Sequence, residues 1–475
     1  MSSVSAVPEP SAPPTPAEGG LNRAITRPLL LVFVVGDVLG AGVYALIGTV
    51  GAETGGAIWV AFVVALALAL FTAFAYAELV TKYPRAAGAA LYVNKAFRKP
   101  FVSFMVAFAV MASGITSAAT LSRAFGGDYL SAFINVPTVL AALVFIVFVA
   151  LVNSRGIAES IKLNLVLTMI EVGGLVLVVV IAAAALGEPQ ADTGRAFDIK
   201  EGSSVFGIAL GGAALAFYAL VGFEDSVNVA EETKDPQRDY PFALFGGLLV
   251  AGLIYFVVAV LASMAVPTEQ LVESESGALL EVAQTGPLGV DAKVFSAIAL
   301  FALANGALIN MIMASRLLYG MSNEGILPSA LGGVGSRRTP LVAIAFTTLL
   351  AMILIATGDL SDLASTTVVL LLLVFMTVNV SVLVLRRDPV SHSHFKAPSV
   401  MPIIGILVSI GLLTQTEGDT FIRAAALIAL GVLLYFLNRF LTGPSGPLDT
   451  QQLVAVESGG EYTGPRKRQE APPRF

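Results

Sequence analysis

Apolar residues run through this chain in long stretches that only a few charged or Gly/Pro-rich positions interrupt. Splitting the sequence at those positions leaves twelve apolar segments, which cover about 28–51, 56–80, 101–122, 134–153, 161–187, 203–230, 241–266, 291–320, 339–357, 362–385, 399–415 and 420–442. A helix needs about 20 apolar residues to cross a bilayer. Because an open chain in lipid must satisfy its backbone hydrogen bonds internally, each segment is predicted to be a transmembrane helix.

The composition agrees with an integral membrane protein. Hydrophobic residues make up 56% of the 475 positions and charged residues 13%, whereas a soluble chain has roughly 45–50% and about 25%. Residues 1–22 and 443–475 are poor in apolar residues and are predicted to be disordered cytoplasmic tails. The first tail lacks the hydrophobic segment of a signal peptide. We therefore predict one all-α transmembrane domain over residues 23–442.

The basic residues predict the orientation of this domain. An even number of spans places both termini on one side of the membrane. Of the 27 Lys and Arg residues, 22 then share that side, and the opposite side holds only Arg123, Arg195, Lys200, Lys293 and Arg423. By the positive-inside rule both termini are cytoplasmic. The alanine-rich, cysteine-free composition with short loops favours a bacterial cell membrane.

Two of the predicted spans contain the features of interrupted helices. The first span reads LLLVFVVGDVLGAGVYALIGTVG, with Gly40, Ala41 and Gly42 near its middle. The sixth reads SSVFGIALGGAALAFYALVGFEDSVNVAEET, with Gly222 near its middle. Glycine also serves close helix packing, but packing does not explain the acidic residues beside these glycines.

The two interrupted spans lie five helices apart. This spacing is typical of two inverted repeats, here helices 1–5 (about 28–187) and helices 6–10 (about 203–385), each opening with a broken helix. Free N–H groups at one break attract a carboxylate, and free carbonyls attract an ammonium group or another cation. Two facing breaks suit a zwitterion, so the residues themselves predict a secondary transporter.

Four sequence blocks resemble one family. GDVLGAGVYALIG, FYALVGFEDSVNVAEETKDPQRDYP, AYAELVTKYPRAAGAALY and ASRLLYGMSNEGILP are similar to blocks of the amino acid–polyamine–organocation superfamily of permeases, and each lies at the proper helix number. The resemblance covers roughly residues 22–442 and is nearest to the bacterial amino acid permease and cationic amino acid transporter branch. It implies a leucine-transporter-like fold with a 5+5 inverted repeat, two further C-terminal helices (about 399–442), and a substrate site between helices 1, 3, 6 and 8.

The resemblance also implies a set of substrate-binding positions at the two breaks: Val38, Gly40, Ala41, Gly42, Val43, Tyr218, Val221 and Gly222. The N–H groups of residues 41–43 would hold the substrate carboxylate, and carbonyls near Val38, Tyr218 and Val221 would hold its ammonium group. Tyr218 aligns with an aromatic residue that closes over bound substrate. Glu224 aligns with an acid that some members use in gating or proton coupling.

Five acidic residues fall inside predicted spans: Asp37, Glu78, Glu171, Glu224 and Asp225. A charge at the bilayer centre costs at least about 2.5–3.5 kcal/mol, so such residues are candidates for function. Glu78 lies near Lys82 and Arg85 and is interpreted as part of a structural or gate ion pair. Asp37 either contacts the substrate or a cation, or caps the broken half-helix. Asp225 either joins the site or pairs with a cytoplasmic residue such as Lys234.

Glu171 lies in helix 5 with no partner nearby in the sequence. Proton-coupled relatives often carry a lysine near this place, so an acid departs from the family pattern. Desolvation favours the neutral form of a carboxyl group, and a carboxyl group here is able to bind and release a proton during a transport cycle. A protonated, purely structural glutamate is the equal alternative.

The sequence gives no support for a membrane enzyme or for an ATP-driven pump. No HExxH, GxSxG, cysteine nucleophile or GxxxxGK[ST] motif occurs, and the only histidines, His392 and His394, lie in one loop. We expect no catalytic residue, metal, cofactor or nucleic acid. We predict a secondary active transporter that takes up amino acids by alternating access, with protons as the coupling ion and the lipid bilayer as its surroundings. An amino acid/polyamine exchanger and a non-transporting receptor are the alternatives; the particular substrate and the oligomeric state are open.

Overall fold

The computed structural model describes residues 23, 25–84, 88–155, 160–274, 277–323, 327–333 and 339–442. The two predicted tails, 1–22 and 443–475, lie outside the described residues. Within the described residues the secondary structure is helical, apart from two isolated β-bridges, Ile25 to Thr233 and Gly55 to Ile199.

The α-helices in chain order are α1 (Arg27–Val38), α2 (Gly42–Thr54), α3 (Ile58–Lys82), α4 (Gly88–Phe97), α5 (Pro100–Ala124), α6 (Thr138–Asn153), α7 (Ser160–Ala185), α8 (Val205–Ala219), α9 (Pro236–Ala265), α10 (Thr268–Glu273), α11 (Ala278–Ala283), α12 (Ala292–Asn323), α13 (Leu341–Thr357), α14 (Leu360–Leu385), α15 (Val400–Leu413) and α16 (Gly418–Thr442). A π-helical turn follows α5 at Phe125–Tyr129, and short 3₁₀ helices occupy Arg195–Phe197, Asp225–Glu232 and Ser329–Gly332.

Each predicted apolar segment overlaps one of these α-helices, except the first segment, which overlaps both α1 and α2. In the part of the chain that the structure describes, seven helices are long and apolar enough to cross a membrane: α3, α5, α7, α9, α12, α14 and α16. The pair α1 and α2 is long and apolar enough to do so only when the two helices are taken together, and they are bent by 46° at the break between them. The other four predicted spans contain the shorter apolar helices α6, α8, α13 and α15, so the count of twelve crossings stays a prediction.

Three short helices were not predicted. Helix α4 lies in the stretch 81–100, which the sequence marks only as a basic inter-helix segment, and α10 and α11 lie between α9 and α12. All three have ten residues or fewer. They escape a search for apolar runs because such a run must be about 20 residues long to span lipid.

The two interrupted spans lie at the centre of the bundle. Helix α1 packs against α9, α2 against α8, and α3 against both α8 and α9, while α5 packs against α12 and α14. The hydroxyl of Tyr255, on α9, donates a hydrogen bond of 2.6 Å to the carbonyl of Val38, the last residue of α1. The break in helix 1 is therefore held by its neighbours and is not a frayed helix end.

Glu78 forms the predicted ion pair, but its partner is Arg386 at the end of α14. Arg386 Nε lies 3.0 Å from Glu78 Oε1, and Nη2 lies 2.7 Å from Oε2. The backbone N–H of Ala397 donates to the same carboxylate at 2.9 Å. The hydrogen bonds to Glu78 raise the pKa of the Arg386 guanidinium, which keeps it charged. Nearby Lys82 donates instead to the carbonyl of Leu385, at 2.5 Å.

Candidate functional site

A cavity of about 630 Å³ reaches from one end of the bundle to the two helix breaks. Along the first span its wall runs from Ile25 to Gly42, and no residue of α2 beyond Gly42 takes part. The remaining wall comes from α5, α7, the break after α8, α12 and α14. Such a volume lies within the range of small-molecule sites. The cavity therefore joins the two breaks that the sequence singles out.

All but one of the predicted site residues line this cavity: Asp37, Val38, Gly40, Ala41, Gly42, Glu171, Tyr218, Val221, Gly222 and Glu224. Val43 does not, because its side chain is fully buried in the first turn of α2. Asp225 also lines the cavity. The polar residues Ser117, Asn305 and Asn310 also line the wall, although no sequence pattern predicts it.

The break in helix 1 spans residues 39–41. Helix α2 begins at Gly42 without a side-chain cap at Ala41. The N–H groups of its first turn have no partner within the helix, and the helix dipole makes this end positive. A Cβ atom on Gly42 would lie 2.8 Å from Cα of Ala219, so α2 starts directly against the end of α8. This arrangement presents backbone donors that suit a carboxylate.

The break in helix 6 is centred on Gly222. Helix α8 ends at Ala219, and Gly222 has a φ of +126°, a conformation that side-chain-bearing residues rarely adopt. Its N–H donates a hydrogen bond of 2.9 Å to Oε2 of Glu224. A Cβ atom here would lie 2.7 Å from the carbonyl oxygen of Asp37. The two breaks are thus in direct contact at Asp37 and Gly222.

Two acidic side chains in the wall are incompletely hydrogen-bonded. Among the described residues, Asp37 Oδ2 and Glu171 Oε1 are buried without a hydrogen-bond partner. Glu171 is only 2% exposed, and Asn305 of α12 lies within hydrogen-bonding reach of it. Asp37 lies close enough to Glu224, Asp225 and Glu171 to interact electrostatically.

Tyr218 connects the end of α8 to α5. Its hydroxyl lies 2.9 Å from Oγ of Ser117, and either group is able to donate. Its side chain is nearly buried, although it lines the cavity. This hydrogen bond fixes the ring next to the two breaks.

Aromatic residues close the far end of the cavity. The hydroxyl of Tyr129 donates to the carbonyl of Tyr44 at 2.8 Å, and the hydroxyl of Tyr44 donates to the carbonyl of Glu171 at 2.6 Å. The ring of Phe295 stacks on Tyr44 at 6.1 Å between centroids. All three aromatic side chains are fully buried. The cavity is therefore open toward the start of α1 and closed beyond the breaks.

Comparison with known proteins agrees with this architecture. The chain is 26% identical to the branched-chain amino acid permease BcaP of Bacillus subtilis (strain 168), over 89% of this chain and 94% of that protein. It is 25% identical to the methylthioribose transporter of the same organism, over 88% and 93%. It is 30% identical to the vacuolar cationic amino acid transporter 2 of Arabidopsis thaliana, over 78% of this chain and 60% of the plant protein.

The family match covers most of the chain. Residues 28–440 match the amino acid permease family. This range includes nearly all of the bundle, both helix breaks and every residue of the cavity wall that follows Ile25. The resemblance seen in the four sequence blocks is confirmed: the chain belongs to the amino acid permease family, within the amino acid–polyamine–organocation superfamily.

Proposed function

We propose that this protein is a secondary active transporter that moves amino acids across the membrane by alternating access. The observation that carries the proposal is the pair of broken helices, which meet at Asp37 and Gly222 inside a cavity closed at one end. Unpaired N–H groups at the start of α2 suit a substrate carboxylate. The names of the relatives, which include a branched-chain amino acid permease and a cationic amino acid transporter, support an amino acid as the substrate.

The proposed topology has twelve spans in the cell membrane, arranged as a 5+5 inverted repeat with two further helices, and both termini lie in the cytoplasm. The four shorter helices have 14–17 residues, which gives them a length of about 21–26 Å. The apolar residues Leu140, Val144 and Phe148 are exposed on one face of α6, which supports a lipid-facing position for this helix. Because the cavity opens toward the start of α1, its open end faces the cytoplasm in this topology.

The proposed substrate-binding set is the one that the family resemblance implies. Residues 41–43 contribute backbone N–H groups, which is compatible with the buried side chain of Val43. The carbonyl of Val38 accepts one hydrogen bond from Tyr255 and keeps a second lone pair for an ammonium group. Glu224 acts in gating, because its carboxylate holds the N–H of Gly222 at the break.

Glu171 is the proposed proton-binding group. It is buried in the cavity wall, and its Oε1 has no partner among the described residues. An unpaired charge in such a place is costly, so a proton or another cation must neutralise it. The proton gradient would then drive uptake.

Uptake into proteoliposomes tests both parts of this proposal. A panel of radiolabelled amino acids is offered with and without an inward proton gradient, and we expect saturable accumulation that requires the gradient. In Glu171→Gln we expect accumulation driven by a gradient of one pH unit to fall about 10-fold, since one coupled proton then supplies about 1.4 kcal/mol, which is a factor of 10 in concentration. Amino acid exchange without a gradient should persist in this variant.

The control is Glu53→Gln, which removes a carboxylate that pairs with Lys200 on the surface, 4.0 Å away. Full pH-dependent accumulation by Glu171→Gln would contradict its coupling role. Exchange that never responds to the gradient would establish the exchanger alternative. Binding without uptake would establish a receptor.

The Tyr218 hydroxyl gives a smaller, separate prediction. Tyr218→Phe keeps the ring but removes the hydrogen bond to Ser117. A neutral hydrogen bond contributes about 0.5–1.5 kcal/mol, so we expect a rise in the transport KM of about 2- to 12-fold. Ser117→Ala should give a similar value, and the double variant should not add to it. Additive effects of the two changes would show that the two hydroxyls act independently.

A further inference from the structure

The charged side chains that line the cavity are all acidic. Five acidic residues line it: Asp37, Glu171, Glu224, Asp225 and Glu232. Among the described residues the wall contains no lysine, arginine or histidine. Carboxylates that share a poorly solvated site cannot all stay ionised without cations. Protons or a positively charged ligand must therefore balance the wall.

One proton does not neutralise this wall. Two buried carboxylate oxygens lack partners, Glu171 Oε1 on α7 and Asp37 Oδ2 on α1. The proposed coupling proton accounts for Glu171. A zwitterionic amino acid brings no net charge, because its carboxylate cancels its ammonium group. Asp37 is then left without a counter-charge.

The position of Asp37 makes a cation still more favourable. It lies in the last turn of α1, which ends at Val38, and the C-terminal end of a helix carries a partial negative charge. Asp225 and Glu224 lie close by across the second break. Glu224 is occupied with the N–H of Gly222. Asp37 and Asp225 therefore remain available for a ligand.

We propose that the substrate carries a second positive charge, an ammonium or guanidinium group on its side chain, and that Asp37, supported by Asp225, receives it. The inference rests on the proposed function and narrows it to amino acids with a basic side chain. The backbone sites at the breaks hold the α-carboxylate and α-ammonium groups, and the acidic side chains select the distal cation.

Arginine and citrulline test the charge directly, because they have nearly the same shape and differ by one positive charge. Their affinities are measured by equilibrium binding to the full-length protein in lipid nanodiscs. We expect arginine to bind about 10- to 100-fold more tightly, the effect of a hydrogen bond to a charged group. In Asp37→Asn the affinities for arginine and citrulline should differ by no more than about threefold.

Two further variants make the result decisive. Glu53→Gln removes a surface carboxylate outside the cavity and should keep the wild-type ratio. Asp225→Asn should lower the ratio of arginine affinity to citrulline affinity and leaves the packed contact of Asp37 with Gly222 unchanged. This variant therefore tests the inference even if Asp37→Asn does not fold. Equal binding of arginine and citrulline by the wild type, or an unchanged ratio in both Asp variants, would overturn the inference.

Agmatine, which is arginine without its carboxylate, separates this inference from the proposed function. Tight binding of both agmatine and arginine supports Asp37 and Asp225 as the groups that bind the distal cation. Binding of agmatine but of no amino acid would support these cation-binding groups and refute amino acid transport. Uptake of neutral amino acids in preference to arginine would refute the inference and leave the proposed function standing.

Discussion

Replacing Gly222 with alanine is expected to abolish transport, with a loss of uptake of about 100-fold or more, the effect of displacing a site by about 1 Å. Gly222 has a φ of +126°, which alanine adopts only under strain. The new Cβ would also lie 2.7 Å from the carbonyl oxygen of Asp37. This contact is with backbone, so it cannot be relieved by a rotamer change. The two breaks would have to move apart.

The measurement compares initial uptake rates in proteoliposomes at equal protein amounts. Gly411→Ala in α15 is a matched control, because it adds the same methyl group at a glycine where the new Cβ would meet no atom within 4 Å outside its own helix backbone. We expect this control to keep uptake within about twofold, since Gly to Ala in a helix costs nothing and gains up to about 1 kcal/mol. Near wild-type uptake by Gly222→Ala would show that the contact between the breaks is not needed.

The apolar segments could be predicted from the sequence because the bilayer imposes one length and one polarity on every span. The breaks could be predicted as well, because glycine weakens a helix, and the structure has them at residues 39–41 and at Gly222. Only at Gly222 does the break also require a positive φ. Helices α4, α10 and α11 follow no such rule. Their formation depends on packing against the bundle, which local composition does not record.

The site was predictable only as a set of separate elements. The sequence marks Asp37, Glu171 and Glu224 as costly charges within apolar spans. It does not reveal that they share one wall, because that depends on the tilt and rotation of three helices. Asn305 and Ser117 were missed for a related reason: a single amide or hydroxyl group in an apolar helix is common, and only its neighbours give it a role.

Pairs that are distant in the sequence were the least predictable feature. Glu78 was expected to pair near Lys82 and Arg85, but its partner Arg386 lies 308 residues away. Proximity in the sequence favours Lys82 and Arg85 as partners. A helix, however, directs its side chains toward the element that packs against it. Here α14 packs against α3 and carries Arg386 at its end.

Loss of Arg386 is expected to destabilise the protein strongly, although this residue lies outside the cavity. Glu78 is 2% exposed and receives hydrogen bonds from Arg386 Nε and Nη2 and from the N–H of Ala397. Removing one partner of a buried pair leaves an uncompensated charge and costs about 3–5 kcal/mol. The Arg386 side chain is 26% exposed, so we expect Arg386→Gln to lower the free energy of unfolding by about 3 kcal/mol.

The double variant Glu78→Gln/Arg386→Gln distinguishes an orphaned charge from lost packing. It removes both charges, so we expect it to be more stable than Arg386→Gln alone, with a coupling energy of at least about 1 kcal/mol in a double-mutant cycle. Lys200→Gln breaks the exposed pair with Glu53 and should cost less than about 1 kcal/mol. Reversible unfolding of the purified protein in detergent with added denaturant gives all of these values. If the double variant were as unstable as the sum of the single ones, Arg386 would act through packing and not through the charge of Glu78.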